Sequence, residues 1–599
     1  MRPLPPLLLA LAVLGCHPRA DETRPAPAAQ APAPAPESPH FQVSVSPQLA
    51  TAPADGRLLV VVAKDASMEP RFQVSGDNES AQLFGVDVNG LTAGQEVRVG
   101  AEVLGYPLDS LSQLPAGDYV VQAVLHRYET FKRADGHTVK LPMDRGEGQH
   151  WNLAPGNWVS APQRVHLDPK SGGPISLVLD HALPELPPTP DTKYVKHVRI
   201  KSELLSKFWG RDMELAAIVL LPEGFDTHPQ ARYPLMVAHG HFSRELSGWR
   251  ETPADEGLPP VDKAGLAQDC PNGHGNKCNE HGYKRMVQEA GYRFFQQWTG
   301  KGFPRVLLME IQHANPYYDD SYAVNSANVG PYGDAIVKEL IPAIEKQFRG
   351  QGAWARGMYG GSTGGWESIA AQVFYPDDFN GAVANCPDPV DFRAYETANL
   401  YEEPNAFFSE GPFRRTPRAS TRNALGQTSG TIEQDNRMEL VLGEHSRSGE
   451  QFDIWEAVYS PVGQDGYPQR IFDKRTGAID PQVAAYWREH YDLSHILARD
   501  WATLGPKLQG KLRVNVGTLD TYYLDGAVKL LEERLQTLKD PKPDVVFAYG
   551  ARDGHCWSGD AEHLNFESRL TYHDRHIRLL VEHFLRTAPK GADTRSWRY

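Results

Sequence analysis

The sequence predicts two folded parts in series: a β-sandwich-like domain over residues 40–190, then a mostly parallel sheet flanked by helices over 195–590. Two observations carry this. From 40 to 190 short apolar runs such as "FQVSVS", "RLLVVVAKD", "EVRVGAEVL", "DYVVQAVLHRY" and "ISLVLD" alternate with turn residues, and no amphipathic helix lies among them, which is the pattern of an all-β unit. Beyond "ELPPTPDT" at 185–192, which reads as a linker, strand runs alternate with helical ones, as in a sheet built from strand–helix units. A chain of 599 residues is too long for a single core and suits several domains.

The chain starts "MRPLPPLLLALAVLGCHPRA". One basic residue, a short leucine-rich run and "VLGC" read as an export signal over 1–15, too short for a membrane span. "VLGC" resembles a lipoprotein signal, which implies cleavage before Cys16 and lipidation of that cysteine; an ordinary signal with an incidental cysteine is the alternative. The expected location is the bacterial cell envelope, periplasm or outer membrane, with the membrane reached through the N-terminal lipid. Residues 16–39 include "ETRPAPAAQAPAPAPESP", whose proline and alanine content predicts an extended tether. The strand-rich domain then reads as a spacer or docking module. A net charge of -14 argues against nucleic acid as a partner.

In the second part "MELAAIVLLPEGF", "YPLMVAHGH" and "RVLLMEIQHA" read as strands and "GDAIVKELIPAIEKQF" as a helix. "GAWARGMYGG" leads as a strand into Ser362, and "GGWESIAAQVFY" follows as a helix. "FNGAVANC", "KLRVNVGTLD" and "DVVFAYGARDGHCW" supply later strands, with a helix at "GAVKLLEERLQTL" and a closing one at "HDRHIRLLVEHFLRTA". Between 390 and 505 a polar, aromatic-rich segment interrupts this rhythm and is expected to cap the mouth of the sheet.

"GGSTGGW" puts Ser362 in a G-x-S-x-G pattern at a strand-to-helix junction. A serine that attacks a carbonyl needs a base for its proton, a carboxylate to orient that base, and donors for the oxyanion. In an α/β-hydrolase sheet these follow in the order Ser, Asp or Glu, His at successive strand ends. Asp520 ends "KLRVNVGTLD" and His555 follows "DVVFAY", so they take the acid and base roles; Asp525 and Asp553 are the rival acids. Asp525 opens the next helix, where a carboxylate has an ordinary capping role. "VAHGHF" after an early strand places the backbone N–H of His241 for the oxyanion hole, with that of Thr363 as its partner. This chemistry requires no metal and no organic cofactor.

From about 195 to 590 the chain resembles a family of α/β-hydrolase esterases that includes esterase D, feruloyl and enterochelin esterases and mycolyltransferases. "VLLPEGF", "MVAHGH", "ELIPAIEKQF", "GGSTGGWES", "VGTLD" and "DGHCW" carry the resemblance. It implies an α/β-hydrolase fold, Ser362 as nucleophile, Asp520 as acid, His555 as base, and Trp557 in a commonly aromatic position; Trp366 is taken with it as substrate-binding. The 390–505 insertion departs from the small members of the family.

Export favours pairing the cysteines other than Cys16. Cys270 and Cys278 bracket "PNGHGNK" and could close a small loop; a metal site with His274 and His281 is the weaker alternative. Cys386 and Cys556 both stand at the C-terminal edge of the sheet. A disulfide between them would pin the histidine loop near Ser362, as a nearby disulfide does in tannase-like esterases; two buried free thiols are the alternative. Arg414, Arg415, Arg418 and Arg422 read as a solvated face before a receptor for an anionic substrate, and "NPYYDDSY" as loop and surface. The expected activity is hydrolysis of small carboxylic esters through an acyl-enzyme on Ser362. A prolyl-oligopeptidase-type peptidase, an acyltransferase and a non-catalytic binding protein are the alternatives.

Overall fold

The computed structural model describes residues 38–143, 150–241, 243–270 and 276–599. The export signal, Cys16, nearly all of the tether, His274 and most of "DRGEGQHW" lie outside them. Ten strands make up the N-terminal part: β1 His40–Val45, β2 Ala54–Ala63, β3 Gln82–Leu91, β4 Glu96–Val99, β5 Gly105–Tyr106, β6 Gly117–Lys132, β7 Thr138–Leu141, β8 Trp158–Ser160, β9 Gln163–Leu167 and β10 Pro174–Ala182. They form one hydrogen-bonded sheet in the order β4-β1-β10-β8-β6-β2-β3-β5, with β7 and β9 also on β6. The expectation of a sandwich is met only in being all-β, for the strands do not divide into two separate sheets. The cause is β6, long enough to pair with β2 and, at successive positions, with β9, β8 and β7.

The unbroken apolar run in β2 has a direct structural meaning. Successive side chains of a strand point to opposite faces, so a run without polar positions needs cover on both sides. Leu58, Val60 and Val62 pack with Phe41, Val43 and Val45 of β1. Leu59, Val61 and Ala63 pack instead with Val441 and Leu442, far along the chain. The sheet is therefore more than a spacer: one face supports the 390–505 insertion.

No strand or helix occurs between Ala182 and Val195. The second sheet then has eight strands: β11 Val195–Lys201, β12 Glu214–Leu220, β13 Leu235–His239, β14 Leu307–Gln312, β15 Arg356–Gly361, β16 Ala382–Asn385, β17 Leu512–Gly517 and β18 Val545–Gly550. Their order is β11-β12-β14-β13-β15-β16-β17-β18. β11 and β12 are antiparallel and the last six parallel, so the loops after β13, β15, β16, β17 and β18 leave one edge together, where open α/β sheets bind ligands. Helices α1 Tyr283–Thr299, α2 Thr363–Phe374, α3 Ile432–Leu442, α4 Gln451–Tyr459, α5 Leu493–Leu508, α6 Asp525–Gln536 and α7 Tyr572–Thr587 are the principal ones. The insertion expected at 390–505 holds two hairpins, α3, α4 and a helix at Pro481–His490, while α5 already packs beside α2 and α6. Cys270 and Cys278 are joined by a disulfide, and His281 pairs with Asp262 and Asp269.

α3 is held to the first sheet by more than apolar contact. Arg57 of β2 is almost fully buried and donates to the Val441 carbonyl at 2.9 Å, the Leu440 carbonyl at 3.0 Å and Asp87 Oδ1 at 3.0 Å. Arg447, just past α3, reaches the other oxygen of Asp87 at 2.5 Å. Removing Arg57 strands buried carbonyls and half of an ion pair. Arg57→Ala should therefore cost about 3 kcal/mol, read as a lower unfolding midpoint with earlier proteolysis near α3; an unchanged midpoint would refute the supporting role.

Candidate active site

Ser362 lies between β15 and α2 with φ 57° and ψ -122°, a backbone region that side-chain-bearing residues rarely adopt. The strand arrives and the helix departs so sharply that the flanking residues must be glycine. A Cβ on Gly360 would lie 2.5 Å from the Gly364 carbonyl carbon, and one on Gly364 would lie 2.1 Å from the His239 carbonyl oxygen. β13 runs beside β15 with His239 opposite Gly360. That register brings Gly240 and His241 next to Ser362 and sets the N–H groups of His241 and Thr363 at adjoining strand ends.

The loop after β17 carries Asp520 and the loop after β18 carries His555, so neighbouring strands deliver the two side chains to each other. His555 Nδ1 and Asp520 Oδ2 are 2.9 Å apart, and both residues are buried. The other Asp520 oxygen accepts from the Tyr522 N–H at 3.0 Å and the Leu524 N–H at 3.4 Å. Tyr522 meets the His555 ring edge-on at 4.7 Å, and Asn565 holds the His555 carbonyl at 2.9 Å. Burial alone would lower the His555 pKa; the charges of Cys556 and Asp520 outweigh it and hold the imidazole well above its ordinary value. Of the rival acids, Asp525 is engaged by Arg422 and Lys529, and neither it nor Asp553 is bonded to His555.

No disulfide joins Cys386 and Cys556 in this structure; their sulfurs are 2.9 Å apart, Cys386 donating to Cys556. That hydrogen bond and the neighbouring His555 hold the Cys556 thiol well below its usual range, whereas burial pushes Cys386 up.

Ser362 Oγ donates to Asp388 Oδ1 at 3.2 Å, and among the described residues no hydrogen bond joins it to His555. Asp388 stands in the loop after β16 and is buried. Its other oxygen accepts from Tyr322 at 2.6 Å, Thr363 Oγ1 at 3.2 Å, and Gln451 Nε2 and Trp455 Nε1 of α4 at 3.3 Å each. Burial holds its carboxyl above the usual range. The segment "NPYYDDSY" is not surface: Tyr317, Tyr318, Asp319, Asp320 and Tyr322 are all buried. Asp319 and Asp320 approach His241 Nδ1 at 3.3 and 3.2 Å. Partial desolvation would lower the pKa of His241, whose side chain is 46% exposed, and those two carboxylates raise it well above its ordinary value instead.

Other expectations are corrected here. Trp366 is fully buried against Tyr322 and Tyr459, because α2 dives into the molecule with no polar outer face. Trp557 is buried with its N–H on the Asp560 carbonyl at 2.9 Å. Neither tryptophan borders the cavity of about 280 Å³ lined by Gly240, His241, Gly361, Cys556, Arg569 and Tyr572 among others, a lining that includes the chain neighbours of Ser362 and His555 but neither of those residues. The arginine group is not one solvated face. Arg414 and Arg415 are exposed, but Arg418 pairs with Glu403 at 2.6 Å. Arg422 donates to the Asp520 carbonyl at 2.8 Å and to Asp525 at 2.7 Å, so the insertion braces the loop that carries Asp520.

No family model and no curated protein matches this chain. Solved structures similar to it include a ferulic acid esterase at 13% identity, covering 65% of this chain and 99% of that one with a TM-score of 0.32. An S-formylglutathione hydrolase from Agrobacterium tumefaciens is also 13% identical over 66% of this chain and 98% of its own, with a TM-score of 0.30. An IroE-like serine hydrolase from Shewanella oneidensis is 12% identical over 64% and 79%, with a TM-score of 0.28.

Proposed function

We propose that the protein is an exported serine esterase, tethered to a membrane surface through a lipid on Cys16. Ser362 Oγ attacks the ester carbonyl while His555 Nε2 takes its proton; the imidazolium then gives that proton to the departing alcohol oxygen. Asp520 fixes the His555 tautomer and offsets the positive charge. The N–H groups of His241 and Thr363 receive the oxyanion, and water resolves the acyl-enzyme by the same steps in reverse order of partners. The observation that carries this reading is the 2.9 Å contact of His555 with Asp520, made at the sheet edge from which the strained Ser362 projects. The substrate is a small carboxylic ester whose acyl or alcohol part fits beside Gly361 and Tyr572.

An aryl fluorophosphonate should label the native protein on one peptide, the one containing Ser362. Only the neutral imidazole accepts a proton. A His555 pKa held above the ordinary value therefore means labelling is slow in mildly acidic buffer and rises with pH through a midpoint above 6.5. Label on any other peptide, or none at any pH, would defeat the proposal.

A further inference from the structure

In a resting triad the serine hydroxyl needs an acceptor, and here the acceptor is not the base. Ser362 Oγ donates a hydrogen bond to Asp388 Oδ1 at 3.2 Å, while Asp388 gathers two nitrogen donors from α4 and the hydroxyls of Tyr322 and Thr363 on its other oxygen. A buried carboxylate so surrounded is fixed in place, and a hydrogen bond to its charge is stronger than one between neutral groups. Resting on the reading of Ser362 as nucleophile, we propose that Asp388 is a positioning residue, the acceptor that holds the Ser362 hydroxyl away from His555 until an ester occupies the site.

The proton itself never passes to Asp388. When the carbonyl arrives, the Ser362 hydroxyl turns from Asp388 to His555, its O–H bond breaks, the oxygen–carbon bond forms, and the proton ends on His555 Nε2. Part of the substrate's binding energy is consumed in separating Ser362 from Asp388. Weakening that contact should therefore improve KM and leave kcat nearly constant, since the contact is already gone in the bound complex.

Asp388→Asn tests this. Trp455 and Gln451 present N–H groups that only a carbonyl oxygen can accept, so the amide turns its oxygen to them and its NH₂ to Ser362. The serine oxygen then accepts a bond, and its O–H is free for His555. Phosphonylation by an aryl fluorophosphonate should accelerate about tenfold, and KM for a short aryl ester should fall by a similar factor with kcat within about twofold. Trp455→Phe removes one donor from the same carboxylate, so Asp388 grips Ser362 harder; labelling should slow about threefold. Melting curves of both variants establish that they are folded. Labelling by folded Asp388→Asn that is unchanged or slower overturns the proposal; should that variant fail to fold, an unchanged or faster rate in Trp455→Phe does the same. A native protein that takes no label at Ser362 overturns both this role and the esterase reading, which separates the two failures.

Discussion

Ser362→Ala should lower kcat for a short aryl ester by about 10⁶-fold and abolish fluorophosphonate labelling, while the unfolding midpoint stays close to that of the native protein. The side chain is partly exposed and makes one hydrogen bond, to Asp388, so its removal takes little from packing. The residual rate would come from the oxyanion donors and from binding. Stopped assays with acyl-enzyme trapping distinguish loss of the nucleophile from loss of binding. Retention of more than a hundredth of the native kcat would remove Ser362 from the chemistry.

Asp520→Asn should be almost as damaging, with about 10⁴-fold loss in kcat, and the local hydrogen bonds explain why. One oxygen of Asp520 is held by the Tyr522 and Leu524 N–H groups, which can only donate. An asparagine must keep its oxygen there and turn its NH₂ toward His555 Nδ1. That nitrogen then has to accept, the imidazole proton moves to Nε2, and the base can no longer take the proton of Ser362. The loss should persist as pH rises, because the wrong tautomer is not corrected by deprotonation. A loss below tenfold would return the acid role to Asp525 or Asp553.

Much of this site could be read from the chain, and the parts that could not share a physical cause. Ser362, Asp520 and His555 are each attached to a strand end, so the alternation of strands and helices locates them without knowledge of any side-chain contact. Asp388 has no such marker: it follows "NC" in "NCPDP", and its importance arises from α4, some sixty residues on, folding back over it. Arg422 is another case, since the exposed tip at Arg414 and Arg415 and the half-buried, tethered guanidinium of Arg422 belong to one arginine-rich stretch. "NPYYDDSY" is rich in polar atoms, as surface loops are, yet Asp319, Asp320, Ser321 and Tyr322 find partners inside. Trp366 shows a signal that was present: "TGGWESIAAQVF" lacks a polar stripe, and a helix without one is buried all round. The joined N-terminal sheet depends on the length of β6 and on which edges it offers, quantities that short apolar runs do not encode.

The threefold fastening of the insertion bears on how molecules reach Ser362. α3 is bolted to the first sheet through Arg57 and Arg447, α4 is tied to the surroundings of Ser362 through Asp388, and the hairpin strand with Arg422 is moored to the Asp520 loop. A roof secured at three points does not swing like a latch. On the proposed esterase reading, substrates should be sorted at a standing doorway by girth and contour, and progress curves should be linear from the first turnover, without the lag of an enzyme that must first be pried open.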